Sequence, residues 1–296
     1  MIISTFFSYK GGAGRSTTCF NTIPFMAEEE EAFSREPILL IDMDIESAGM
    51  TYLLNQQDTF KGKYDVKQFL KCEETWTTSK SCDLDQHPLY QHFVPVGNLM
   101  GLEDDRAVMF LGVDDSSPQL KRKDVEGKME EAMNKLQQFA RNYHFKGIVM
   151  DSAAGDQFSA VLAVDTADKI VFCMKLTHQF RIGTFNYLNK LGLKYGKAAD
   201  EKEIILLPTV VPADAVIDGQ SQMEAAINDI RDRVKNISSL DIHTDFISEK
   251  RFGINEVMRF KWRESVLYKL SKESSVTADE EEGMKRYRHL AKIIVE

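Results

Sequence analysis

The chain is poor in the residues that mark extracellular, membrane-spanning or zinc-bound proteins. Its four cysteines, Cys19, Cys72, Cys82 and Cys173, form no Cys-x-x-Cys pair and no Cys/His metal spacing. Disulfides are therefore not implied, and reduced thiols in a cytoplasmic protein are expected. No apolar run approaches the roughly 18–20 residues of a membrane span, and the amino terminus reads as a strand rather than a charged segment followed by a signal core. A soluble protein is expected. Basic residues are in deficit, 37 Lys and Arg against 46 Asp and Glu, for a formal charge of −9. That balance argues against broad electrostatic capture of nucleic acid and leaves only a local basic patch open. None of the six histidines pairs with a serine or cysteine and an acid, so a hydrolase triad has no support. The dinucleotide fingerprint G-x-G-x-x-G, an internal repeat and a low-complexity tract are absent as well.

What is present is enough apolar material for a core: 43% hydrophobic residues over 296 positions, suited to one large domain spanning 1–296 or one with an insertion. Short apolar runs alternate with longer amphipathic ones, which predicts an α/β fold with a mostly parallel twisted sheet and helices on both faces. The candidate strands are Ile2–Ser8, Ile38–Asp42, Phe93–Val96, Gly147–Asp151, Lys169–Met174 and Glu203–Pro208. A first helix starts at about Arg15, and its Pro24 should kink or shorten it; Glu28 to Glu31 read as its solvated end. Residues 52–90, polar and weakly periodic with Trp76, read as an insertion between the second and third strands. A charged helix is expected over Gln119–Tyr143, weakened by Gly127, with Lys121-Arg122-Lys123 as a solvated face. At about 280–295 a terminal helix repeats Met284, Tyr287, Leu290, Ala291 and Ile294 at helical spacing. Packing on the body is the expected use of that stripe, and a membrane-surface role is the alternative.

The chemistry concentrates at Ser8-Tyr9-Lys10-Gly11-Gly12-Ala13-Gly14-Arg15-Ser16-Thr17-Thr18, between the first strand and the first helix. Glycines there let successive N–H groups turn inward, and the new helix adds its positive end, which makes a cradle for anionic oxygens. Ser16 stands where the P-loop pattern G-x-x-x-x-G-K-[ST] places a Mg²⁺-binding hydroxyl, but Arg15 replaces the lysine before it.

This loop resembles the deviant Walker A of ParA/MinD partition-type (SIMIBI-class) ATPases, and in particular a K-G-G-x-G-R-S subset. Two more stretches carry the resemblance. Asp42-Met43-Asp44-Ile45-Glu46-Ser47-Ala48-Gly49 matches D-x-D-x-E-x-x-G, and Ile148-Val149-Met150-Asp151-Ser152-Ala153-Ala154-Gly155 looks like a Walker B strand with a glycine four residues after its aspartate. The resemblance is good from Met1 to about Gly49 and from about His144 to Leu191, and faint elsewhere.

The resemblance implies ATP and Mg²⁺ as ligands, with GTP left open. Backbone groups of Gly11, Gly12, Ala13, Gly14, Arg15 and Ser16 would cradle the β- and γ-phosphates, and Thr17 is placed for the α-phosphate. Ser16 and Asp151 would hold the metal with support from Asp42, whose alternative is a capping or turn carboxylate; Asp44 would orient the attacking water. Lys10 would reach across a face-to-face homodimer to the partner's nucleotide, its alternative being a solvated lysine. Arg15 retains the charge as a wider planar fork, so binding should survive and hydrolysis should be slow. Gly155 is a candidate switch glycine. The asparagine that reads adenine in the family is missing after Glu203–Pro208, which leaves Thr209 to Pro212 as a base-edge segment. His178 and Gln179 sit at a strand end where ligands can bind, or simply cap a helix.

The expected function is a slow ATPase that dimerises around nucleotide and acts as a switch on a partner, with a protein partner favoured and DNA or a membrane surface left open. A regulatory or scaffold protein that binds nucleotide without turnover is the runner-up. A phosphoryl transferase on the same loop is a third reading, without an identifiable acceptor pocket.

Overall fold

A computed structural model describes residues 1–28, 36–72, 83–195, 202–211, 220–237, 240–248, 251–252, 254–255 and 278–296. The continuous apolar runs become buried parallel strands: β1 (Ile2–Ser8), β2 (Ile38–Met43), β5 (Gly147–Ala154), β6 (Lys169–Met174) and β7 (Glu203–Val211). Every residue of β2 and β6 is buried, as expected for strands covered on both faces. They belong to a nine-stranded sheet in the order β11-β7-β6-β1-β5-β2-β4-β3, with β8 (Asp241–His243) also pairing β7 and β11 being Ile254–Asn255, while β9 (Ile247–Ser248) and β10 (Arg251–Phe252) form a separate antiparallel pair.

The sixth expected strand, Phe93–Val96, shrinks to β3 (Val94–Pro95). It runs antiparallel to β4 (Val108–Leu111), a fully buried strand between β2 and β3 that the sequence reading did not anticipate. The expected helix over Gln119–Tyr143 is also corrected. It divides into α5 (Arg122–Val125) and α6 (Met129–Asn142), because Gly127 lies between them at φ +76°, a left-handed conformation that ends a right-handed helix.

Part of the expected insertion at 52–90 is built into the body. It contains the end of α2 (Gly49–Leu53), α3 (Gln57–Phe60) and α4 (Val66–Lys71), and Phe60, Val66, Phe69 and Leu70 are buried in the main core. Asp65 starts α4 with a capping box, its side chain accepting from Lys67 and Gln68 N–H while the Gln68 side chain accepts from its own N–H. Trp76 and Cys82 lie outside the described residues, as do Glu29 to Glu31.

The helix after the glycine loop, α1 (Arg15–Glu28), runs through Pro24. It packs against the terminal helix α10 (Ala278–Val295). Met284, Tyr287, Leu290, Ala291 and Ile294 are all buried, so the apolar stripe is occupied by the body. Lys169 Nζ ties the far end of α10 down through the Ile293 carbonyl at 2.7 Å. α7 (Phe158–Thr166) packs against β1, β2 and β5, and α8 (His178–Tyr195) against β6, with α9 (Gln220–Lys235) beside α8. Among the described residues no helix is long and apolar enough to cross a membrane.

Strand β1 sits between β5 and β6. The chain leaves β1 for β2 on one side, and leaves β5 for β6 on the other, so the carboxyl ends of these strands open onto the crevice where open α/β sheets bind ligands.

Candidate nucleotide-binding site

The loop between β1 and α1 is shaped by its own backbone. Gly12 and Gly14 take φ +76° and +77°, values that side chains rarely adopt, and the first helical bond runs from Thr18 N to Gly14 O at 2.9 Å. Ser8 Oγ donates to Lys10 O at 2.7 Å. Gly155, the candidate switch glycine, is at φ +67° and its N–H donates to Ser8 O at 3.0 Å, so the loop after β5 is bonded to the start of the glycine loop. Thr209, expected at a base edge, is fully buried. Its hydroxyl donates to the Ala13 carbonyl and stands 3.3 Å from the Met174 carbonyl, bracing the loop from below. Pro212 lies outside the described residues.

Beneath the loop the acidic residues converge because β2 and β5 are adjacent and parallel, with Asp42 opposite Asp151. Asp151 is fully buried, and neither carboxylate oxygen has a hydrogen-bond partner among the described residues. Burial pushes its pKa up to about 7, against the opposing pull of Arg15 and of the nearby Ser16 hydroxyl, which stands outside hydrogen-bonding geometry. Ser16 Oγ and Asp151 Oδ2 face the same point: a Cβ added to Gly49 would lie 2.9 Å from the first and 3.8 Å from the second. The glycine of D-x-D-x-E-x-x-G is thus bare because the Ser16 side chain occupies the space.

Asp42 is engaged differently. Its Oδ2 accepts from the Thr51 N–H at 2.8 Å and the Thr51 hydroxyl at 2.7 Å, and its Oδ1 accepts from Asp44 N at 3.2 Å. These bonds are those of a turn carboxylate, and they hold the turn that presents Asp44. Burial, then the neighbouring Asp151, raise its pKa well above the usual carboxylate range.

Arg15 does not lie free at the loop. Its Nη2 stands 3.2 Å from Asp44 Oδ2, both side chains nearly buried, while Nη1 is buried without a partner. Thr17 is half-buried and Gly11 exposed. Lys10 is half-buried with its Nζ 5.9 Å from the Tyr9 ring centre, and among the described residues its ammonium has no carboxylate partner. The Tyr9 ring packs on Gly183 of α8, where an added Cβ would meet ring carbon at 2.0 Å. Glu46 accepts from Gln157 Nε2 at 3.2 Å across the mouth of the site. His178 and Gln179 are exposed at the start of α8, away from these contacts.

Among the described residues no group of three or more His, Cys, Asp or Glu could hold a metal ion unaided. Mg²⁺ does not need such a cage: it binds through one or two carboxylates and keeps water and substrate phosphate as its other ligands. The unpartnered carboxylate of Asp151 beside the Ser16 hydroxyl fits that requirement.

A glycine loop at a helix start, a hydroxyl and buried aspartates at the carboxyl ends of parallel strands define an α/β P-loop nucleotide-binding fold. By sequence, the chain matches no protein-family model and no curated protein. By structure it is similar over nearly its whole length to solved ATPases. The septum site-determining protein MinD of Pyrococcus horikoshii, complexed with Mg-ADP, superposes with a TM-score of 0.58 at 15% identity, covering 99% of this chain and 95% of that one. McdA of Cyanothece in complex with ATP gives 0.64 at 14% identity, with 99% and 96% covered. The pNOB8 ParA bound to nonspecific DNA gives 0.61 at 13%, with 99% and 97% covered. The fold is that of the ParA/MinD-type P-loop ATPases.

Proposed function

We propose that the protein is a Mg²⁺-dependent ATPase that hydrolyses slowly, forms a homodimer around its nucleotide and acts as a cytoplasmic switch on a partner. The observation that carries this reading is Asp151: a fully buried carboxylate with no partner among the described residues, costly unless a cation completes it, placed beside Ser16 under the glycine loop. Ser16 and Asp151 would hold Mg²⁺ there, and the ion would supply positive charge to offset that of the phosphates. The Gly11 to Ser16 backbone holds the phosphates, Thr17 meets the α-phosphate, and Asp44 orients water. Lys10, without a carboxylate partner among the described residues, supplies charge across the dimer as an arginine finger does. The bound nucleotides of the MinD and McdA structures support ATP as ligand, with GTP to be tested beside it. The pNOB8 ParA complex supports DNA as one partner class to test, beside a protein partner. A net charge of −9 confines any DNA contact to a local patch.

One observation favours the second reading, a regulatory protein that binds nucleotide without turnover: Asp44 is already engaged by Arg15. Phosphate release measured beside nucleotide affinity separates the two. Turnover above background that falls on Asp44→Ala, with affinity retained, supports the enzyme; tight binding with no release, unchanged by Asp44→Ala, supports the regulator. Lys10→Ala is expected to abolish sedimentation as a dimer with a non-hydrolysable analogue while monomer binding persists.

A further inference from the structure

The positive charge that Arg15 brings to the loop is spent locally, because its Nη2 faces Asp44 Oδ2 in a nearly buried pair. Another cation stands at the loop from a different element. Lys175 follows β6, and its Nζ lies 3.6 Å from the position of a Cβ built on Gly12. Two contacts hold it there. The Thr209 hydroxyl bridges the Ala13 carbonyl and the carbonyl of Met174, the residue before Lys175, and the Phe180 ring on the first turn of α8 sits 5.7 Å from Nζ.

Two other lysines drawn into this fold have their donors used. Lys67 Nζ donates to the Asp114 and Ser117 carbonyls and to Ser117 Oγ. Lys169 Nζ pairs with Glu203 and donates to Ile293 O. Lys175 is half-buried, and among the described residues its ammonium meets only the face of Phe180 and the edge of the glycine loop. A half-buried ammonium beside the glycine loop, with no hydrogen-bond acceptor among the described residues, leaves its donors without a partner. An anion held by the loop would supply one.

We propose that Lys175 is a phosphate-binding residue acting in cis, contributing from the end of β6 the charge that the P-loop position 15 gives up to Asp44. The proposal rests on the nucleotide-binding reading above and adds a residue to it. A charge-assisted contact to phosphate is worth on the order of ten- to a hundredfold in affinity.

The test is equilibrium binding of fluorescently labelled ATP and ADP to the full chain, at several salt concentrations, for the wild type, Lys175→Ala, Lys175→Gln and Lys175→Arg. Repeating it in a Lys10→Ala background removes any contribution made across a dimer. Losses of about tenfold or more for Ala and Gln, a shallower salt dependence, and recovery by Arg support the proposal; Gln keeps the stem and its packing on Phe180. Unchanged affinity and salt slope in Ala and Gln overturn it while the nucleotide reading stands. Equal losses in Ala, Gln and Arg overturn it too, since packing rather than charge would then be the cause. A wild type that binds neither nucleotide overturns both.

Discussion

Replacing Asp151 with asparagine should stabilise the ligand-free protein at alkaline pH while removing its response to Mg-ATP. Burial raises this carboxyl from 3.8 to about 7. Between those values the folded chain binds a proton that the unfolded chain does not, so stability is complete below about pH 4 and falls as pH rises through 7. By pH 8 the ionised carboxylate has cost up to about 4 kcal/mol, at 1.36 kcal/mol for each factor of ten in acidity. Asparagine cannot ionise and avoids that loss. Allowing half of it for the amide's imperfect fit leaves a gain of about 2 kcal/mol, or roughly 4 °C in Tm for a chain of this length. Thermal unfolding of both proteins at pH 5 and pH 8, without and with Mg-ATP, is the assay. The variant should gain on the wild type between pH 5 and pH 8 without ligand, and lose that lead when Mg-ATP is added, because only the wild type is then stabilised by binding. Parallel pH dependences of the two ligand-free proteins would refute the reasoning, since the buried charge would then cost nothing.

Gly183→Ala should destabilise the fold by roughly 1–3 kcal/mol, because the new methyl would meet the Tyr9 ring at 2.0 Å; denaturant unfolding measures this, and Tyr9→Ala in the same chain should relieve most of it. Leu290→Ala, on the buried face of α10, is expected to cost about 2–5 kcal/mol. Removal of Met284–Glu296 should lower the unfolding midpoint further; a folded truncated protein that has merely lost binding to anionic vesicles would instead favour the membrane-surface role.

The glycine loop, the two aspartates at the end of β2 and the aspartate of β5 were legible because each is a local pattern at the end of an apolar run. The same locality made β1, β2, β5, β6 and β7 readable, since a strand buried on both faces is a short continuous apolar stretch. Strands β8 and β11 span three residues and two and exist through their pairing with β7, so no run announces them. β4 was missed for a related reason: a run of only four apolar residues becomes a strand by lying beside β2. At Gly127 the weak point in the charged helix was visible, but only the left-handed backbone turned it into a break.

The sequence by itself determined that a phosphate cradle, a hydroxyl and a set of carboxylates lie at the ends of parallel strands, because turn glycines, helix starts and strand runs are written in neighbouring residues. Tertiary structure alone decided how those groups divide their work. Asp42 is consumed by Thr51, nine residues on, Arg15 by Asp44 twenty-nine residues on, and Thr209 braces Ala13 from 196 residues away. Lys175 reaches Gly12 only because β6 is laid against β1. Hydrogen bonds and ion pairs act over a few ångströms of space, whatever the separation along the chain, so which polar groups are spent and which are left for a ligand follows from the packing of the sheet.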